Sequence, residues 1–358
     1  MATFSVAVIG TGPDPDNIVW GKSAAMAYQH GNAYAELPQC ELVACADIVR
    51  ENAEAFAERF DLPADNVYES YDQMLSEVEP DIVSVCTPVP THADIVKDVA
   101  ETDIPVAIHC EKPMADTWDG AQSMTAVAAE HDVQLTFNHQ RRFHPAWRGA
   151  SDLLDEEVIG KVNRVEIGGK NIFDFGSHFI DLCNHYVGER RAEWVICQVD
   201  YRTEDVRYGT HNENHSIATW AYDDDTFGFA STGVGWGDSI INAGHRIIGE
   251  YGQIEVHPKN ADVALRYRSE STDGWVNKQV EEEFAIKHGI DHICSYIESG
   301  EQPVLSAEHA LRATEIMFGA YESARQRARI SLPPEAGGNA LTEMVESGQL
   351  NPTPESES

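Results

Sequence analysis

Two short stretches of this chain hold the residue types that oxidation of an alcohol needs. Glu111-Lys112-Pro113 places a lysine just after an apolar, strand-like run, and Asp174-Phe175-Gly176-Ser177-His178-Phe179-Ile180-Asp181 places a histidine between two carboxylates. On a helix that begins at Asp174, the residues Asp174, His178 and Asp181 fall at i, i+4 and i+7, on one face. An ammonium can orient or polarise a hydroxyl, an imidazole can take its proton, and a carboxylate can hold the imidazole in the required tautomer. Taken singly, Lys112 reads as a surface charge and His178 as a satisfied helix histidine. Behind a dinucleotide-type turn, the two together read as a site.

These residues need elements to position them. Over the first ~140 residues strand and helix alternate. Phe4–Ile9, Glu41–Ala46, Asp81–Cys86, Pro105–His109 and Val133–Phe137 are short apolar strands. Between them run helical patterns at Ser23–Leu37, Arg50–Phe60, Tyr71–Ser76, Thr91–Glu101 and Thr117–His131. Continuous apolar strands separated by helices predict a doubly wound parallel sheet covered on both faces. After Arg142 the pattern changes to consecutive strands joined by turn residues, such as Asp223-Asp224-Asp225. That predicts an open, mostly antiparallel sheet closed by helices at about 285–299 and 307–327. The fold class is therefore α/β, with a Rossmann-like domain over 1–140 and a second α/β domain over 141–335. The polar, acidic stretch 336–358 reads as a mobile tail.

Composition narrows the function classes. Sixty acidic residues stand against 25 Lys and Arg, a net charge of −35, and only eight residues are lysine. A nucleic-acid binder leans the other way. The acids interrupt good helices and strands, which argues against disorder. The pattern is the halophile signature, a surface suited to concentrated salt, where a Debye length of about 3 Å at 1 M makes the self-repulsion tolerable. Seven scattered cysteines form no Cys-x-x-Cys pair, which suggests small core residues in a reducing cytoplasm and no metal site. The N-terminus runs straight into a strand without a signal-peptide pattern, and no apolar run approaches the ~20 residues of a membrane span.

Gly10-Thr11-Gly12 follows the first strand, where glycine lets backbone approach a pyrophosphate. The fingerprint is incomplete, because Pro13-Asp14-Pro15-Asp16-Asn17 replaces the usual x-x-Gly. Negative charge near a pyrophosphate is unfavourable, so Asp14 and Asp16 should point outward. Asp47, at the end of the second strand, supplies the carboxylate that accepts the ribose hydroxyls of NAD and would repel a 2′-phosphate. NAD is therefore expected over NADP.

Taken in order, Gly10-Thr11-Gly12, Asp47, Cys86-Thr87-Pro88 with His92, Glu111-Lys112-Pro113, Asn138-His139-Gln140-Arg141-Arg142-Phe143 and Asp174 to Asp181 resemble the glucose-fructose oxidoreductase/inositol dehydrogenase/MocA (Gfo/Idh/MocA) family. The resemblance runs from about residue 4 to Pro334. It implies an N-terminal Rossmann domain, a C-terminal α/β domain whose open sheet makes dimer or tetramer contacts, and a tightly held NAD(P). It also implies redox chemistry at a carbinol carbon of a sugar, cyclitol or related polyol. By the same resemblance Lys112 touches nicotinamide ribose and substrate, while Asp174 and His178 form the acid/base pair. Thr87, Pro88 and His92 surround the adenosine and nicotinamide ribose, and Glu111 contacts the nicotinamide side. Asp181 would touch substrate. Arg142, with Arg141, would either bind an acidic substrate or brace the domain junction. Two other functions fit the same residues: glycoside hydrolysis or epimerisation with NAD used transiently, and a non-catalytic NAD-binding sensor. Neither a membrane nor nucleic acid is an expected partner. The loops at about 168–173, 208–215 and 233–238 would set specificity.

Overall fold

In this computed structural model, the described residues are 3–17, 26–233 and 240–354. They form two compact units. The first comprises Met1–Gln140, Arg207–Thr210 and Phe284–Leu311; the second comprises Arg141–Val206, His211–Glu283 and Arg312–Ser358.

The first unit is built on six strands: β1 (Phe4–Ile9), β2 (Cys40–Ala46), β3 (Val67–Tyr68), β4 (Ile82–Val85), β5 (Ala107–Cys110) and β6 (Gln134–Phe137). Their order is β3-β2-β1-β4-β5-β6, parallel throughout. Val6, Ala7, Val8, Val83 and Ile108 are fully buried, as expected of strands covered on both faces. The helices are α1 (Ala27–Ala35), α2 (Arg50–Arg59), α3 (Tyr71–Val78), α4 (His92–Glu101) and α5 (Trp118–Glu130). Ser70 caps α3 and Thr117 caps α5, each accepting a backbone N–H. The expected first helix, from Ser23, is observed from Ala27; residues 23–25 lie outside the described ones.

The second unit holds α6 (Pro145–Asp155), β7 (Val162–Gly169), α7 (Asp174–Tyr186) and β8 (Ala192–Asp200). A short ribbon of β9 (Val206–Arg207) and β10 (Thr210–His211) follows. The remaining strands are β11 (His215–Tyr222), β12 (Phe227–Gly233), β13 (His245–Gly249), β14 (Gly252–Val256), β15 (Leu265–Ser269), β16 (Val276–Lys278) and β17 (Ile330–Ser331). The large sheet runs β16-β15-β14-β13-β7-β12-β11-β8-β17 and is antiparallel except for β7 with β12. Trp147, Leu153, Ile180 and Leu182 from α6 and α7 pack with Val165, Ile247 and Trp220 of the sheet. Gly228 lies opposite Trp220 in register, and a Cβ there would fall 1.8 Å from the indole, so only glycine admits the ring. The opposite sheet face leaves Ile196, Ile217 and Phe227 exposed.

Two boundaries differ from the expected ones. The helix α8 (Ala285–Ser299), which the sequence reading gave to the second domain, belongs to the first unit. Its Ile286, Ile290 and Cys294 are buried with Phe4, Tyr34 and Leu37, so the apolar stripe chose its partner irrespective of chain order. The helix α9 (Ala307–Gln326) follows it. The stretch from 336 is no loose tail: α10 (Ala340–Glu346) is capped by Asn339 and buries Leu341 and Met344. Further on, Thr353 pairs with the backbone of Arg202 and Glu204. No helix among the described residues is long and apolar enough to cross a membrane.

Candidate active site

In the first unit the candidate residues follow the ends of parallel strands. Gly10 and Gly12 have φ of +83° and +62°, which glycine alone adopts without strain. Gly10 also lies against the end of β4, where an added Cβ would come within 2.5 Å of Thr87 Cγ2. Asp47, just past β2, accepts the Gly12 N–H at 2.8 Å and the Thr11 hydroxyl at 3.2 Å through Oδ2. Its Oδ1 accepts the Val49 N–H at 2.8 Å. Asn52 Nδ2 reaches the same oxygen at 3.5 Å, the longest of these contacts. The next residue, Ile48, is 90% exposed and carries no charge. A glycine turn without room for a Cβ beside an acid after β2 suits a dinucleotide. Asp16 is turned outward and meets Arg59 of α2 at 3.0 Å.

Two residues of this set, His92 and Glu111, are buried. His92 has Nε2 2.8 Å from the Thr87 carbonyl and Nδ1 3.0 Å from the Pro113 carbonyl. It therefore braces the loops after β4 and β5, and burial lowers its pKa against the pull of those carbonyls. Glu111 turns its carboxylate into the unit, where it meets His30 at 2.9 Å and Asn138 at 2.6 Å. Burial alone would raise this carboxyl, but the His30 and Asn138 hydrogen bonds and the Lys112 charge hold it down to about 2. Lys112 itself is half-buried.

In the second unit Asp174 is the first residue of α7, and it shares a buried helix face with His178 and Asp181. The entry to this helix is held by residues that the sequence reading missed. The Asp174 N–H donates to Asn212 Oδ1 at 3.1 Å, the Phe175 N–H to Asn171 Oδ1 at 2.8 Å, and the Ile172 N–H to Glu213 Oε1 at 2.7 Å. Glu213 is fully buried, its pKa is raised by burial, and the Tyr321 hydroxyl donates to its other oxygen at 2.7 Å. The polar run Asn212-Glu213-Asn214, immediately before an apolar strand, was the available signal.

Asp181, expected to touch substrate, is paired with Arg142, for which substrate binding and bracing were both expected. Arg142 Nε and Nη2 each donate to Asp181 at 2.7 Å, and Nη1 reaches Glu189 at 2.5 Å. The paired side chains are 1% and 2% exposed. Arg141 lies over the rings of Trp147 and Phe179, at 5.1 and 4.6 Å from their centroids. Burial lowers its pKa to about 10, against the charge of Asp174.

A parallel sheet ordered 3-2-1-4-5-6 with an acid beside a Gly-x-Gly turn defines a dinucleotide-binding Rossmann domain, here joined to a domain built on a large mixed sheet. The chain belongs to the Gfo/Idh/MocA oxidoreductase family: residues 4–139 match its NAD-binding Rossmann fold, and residues 136–332 match its C-terminal alpha/beta domain. It is 27% identical over 213 residues to the rhizopine catabolism protein MocA of Rhizobium meliloti, covering 55% of this chain and 61% of that protein. The match thus spans less than two thirds of that relative. To the inositol 2-dehydrogenase of Rhizobium meliloti it is 24% identical over 330 residues, covering 85% of this chain and 95% of that one. The WlbA dehydrogenase of Bordetella pertussis, solved with NADH and UDP-GlcNAcA, superposes with a TM-score of 0.73 at 18% identity, covering 93% of this chain and all of that one.

If the Arg142–Asp181 pair is structural, Arg142→Ala should destabilise the protein by about 3–5 kcal/mol, because it strands a buried carboxylate. Denaturant unfolding measures this. A variant of unchanged stability with only a raised KM would show that the pair serves the substrate.

Proposed function

We propose that this protein is an NAD-dependent oxidoreductase acting on a carbinol carbon of a sugar, cyclitol or related polyol. The observation that carries the reading is the buried face of α7, where Asp174 and His178 stand one turn apart on a helix whose first N–H groups are fixed by Asn171 and Asn212. His178 takes the hydroxyl proton, Asp174 orients the imidazole, and Lys112 stabilises the developing alkoxide. Bound NAD supplies the hydride acceptor. Gly10, Thr11, Gly12, Thr87 and Pro88 form its turn and loop, and Asp47 takes the ribose hydroxyls. Glu111 and His92 act from behind, through the backbone they hold.

Lys112→Ala and His178→Ala should each lower kcat by about 10² to 10³, the loss expected on removing one charge-stabilising group. The assay is NADH formation across a panel of sugars, cyclitols and sugar acids in molar KCl. Near-normal turnover in both variants would remove the mechanism. Net NADH formation on a free polyol also separates this function from one that uses NAD transiently.

Cofactor choice rests on Asp47 and on the uncharged Ile48 beside it. Asp47→Ser combined with Ile48→Arg should reverse the preference toward NADP, read as the ratio of kcat/KM for the two cofactors. Tighter NADP than NAD binding by the unaltered chain would contradict the role of Asp47.

The open face of the large sheet is the surface for self-association, since Ile196, Ile217 and Phe227 stay exposed on it. Light scattering should give a dimer or tetramer that Ile217→Lys weakens; a monomer at micromolar concentration would refute this.

A further inference from the structure

Beneath Lys112 lies a chain of buried polar groups that nothing in the proton-transfer scheme uses. Glu111 follows β5 directly and is 6% exposed. Its Oε2 accepts the Lys112 backbone N–H at 3.1 Å. Its Oε1 accepts from His30 Nε2 and Asn138 Nδ2. A carboxylate only accepts, so the His30 proton facing it lies on Nε2. The Nδ1 of His30 then accepts the Ser84 hydroxyl at 3.1 Å, with the Cys86 thiol at 3.6 Å, and Ser84 in turn accepts the Tyr34 hydroxyl at 2.9 Å. Tyr34 and His30 come from α1, Ser84 from β4, and Asn138 from the residue after β6. The donors run from Tyr34 through Ser84 and His30 to Glu111, and the carboxylate there also accepts the amide N–H of Lys112.

Stability is a poor reason for this arrangement. Buried polar and ionic groups replaced by apolar ones of similar volume often leave a protein equally stable. What such a network does provide is a fixed direction, because each member has a single satisfied geometry. The carboxylate on the Lys112 N–H holds the backbone where it leaves the sheet, as His92 holds the Pro113 carbonyl just after it.

We propose that His30 and Asn138 are positioning residues for Lys112, acting through the Glu111 carboxylate that both of them hold against the lysine's backbone. Their value to the reaction rests on the reading of Lys112 as the cation that meets the substrate hydroxyl.

The small number of lysines makes a direct test possible without a known substrate. Reductive methylation of the full-length protein with ¹³C-formaldehyde gives a separate NMR signal for each of the eight lysines, and Lys112→Arg identifies the signal of Lys112. In His30→Leu and in Asn138→Ala the Lys112 signal should move and broaden while the other seven stay in place. His30→Gln, which keeps a donor toward Glu111, should restore it. A Lys112 signal unchanged in both variants overturns the proposal, and so does an equal disturbance of all eight, which would mark general loosening of the core. Asn138→Asp, close in shape but without the donor, gives the same readout if the larger changes prevent folding. In rate assays Asn138→Ala should lower kcat by about tenfold or more, as small misplacements do. Added to Lys112→Ala it should cause no further loss. A Lys112→Ala variant of normal rate, together with a displaced Lys112 signal in Asn138→Ala, would leave the positioning intact and remove only the catalytic role of the lysine.

Discussion

All strands of a parallel sheet end at the same edge, and the candidate chemistry of the first unit depends on that constraint. The ends of β1, β2, β4, β5 and β6 deliver Gly10 to Gly12, Asp47, Thr87, Glu111 with Lys112, and Asn138 to that edge, although more than 120 residues separate the first from the last. The order places β1 beside β4, at the switch point where open parallel sheets bind ligands. The contact there is close enough to dictate a residue type: the 2.5 Å that would separate a Cβ of residue 10 from Thr87 excludes every side chain. The same approach brings Asp47 onto the glycine turn, where it accepts the Gly12 N–H.

The two units solve a second problem in the same way. Each buries a carboxylate and directs one of its oxygens at a backbone N–H at or near a candidate site residue. In the first, Glu111 takes the Lys112 N–H; in the second, Glu213 takes the Ile172 N–H, two residues before α7 begins. Burying a carboxylate is costly unless several donors meet it. Those donors come from distant elements: His30 and Asn138 for Glu111, Thr232 and Tyr321 for Glu213. The outcome differs in charge. Around Glu111 the donors outweigh burial and hold the carboxyl down, whereas around Glu213 burial wins and raises it. A site held through backbone keeps its side chains available for the reaction.

The legibility of the chain divides along local and non-local lines. The helices and five of the six strands of the Rossmann half were readable because their periodicities are local, whereas the two-residue β3 is too short to show one. The glycine turn and the acid after β2 were readable for the same reason. For Arg142 and Asp181 a buried ion pair and a ligand clamp use the same residue types, and their 2.7 Å mutual contacts are not legible in the sequence. The inward partners of Glu111 were not legible either, since they lie 81 and 27 residues away. The C-terminal stretch was judged on its acidic composition, yet Asn339 ahead of Ala340-Leu341 with Met344 one turn on is a local capping signal.

The charge of the chain acquires a structural reading from its buried acids. Glu166 and Glu255 share Arg246, Glu255 also holds Arg266, and Asp181 with Glu189 takes Arg142. Arginine dominates these inner pairs because its planar fork meets two carboxylate oxygens at once, which an ammonium does not. Other cations stand at the surface, Arg202 and Lys161 among them, in a chain whose net charge is −35. Surface repulsion of that size is screened by salt, whereas the buried pairs are screened far less. The buried pairs are therefore contacts that ionic strength barely reaches.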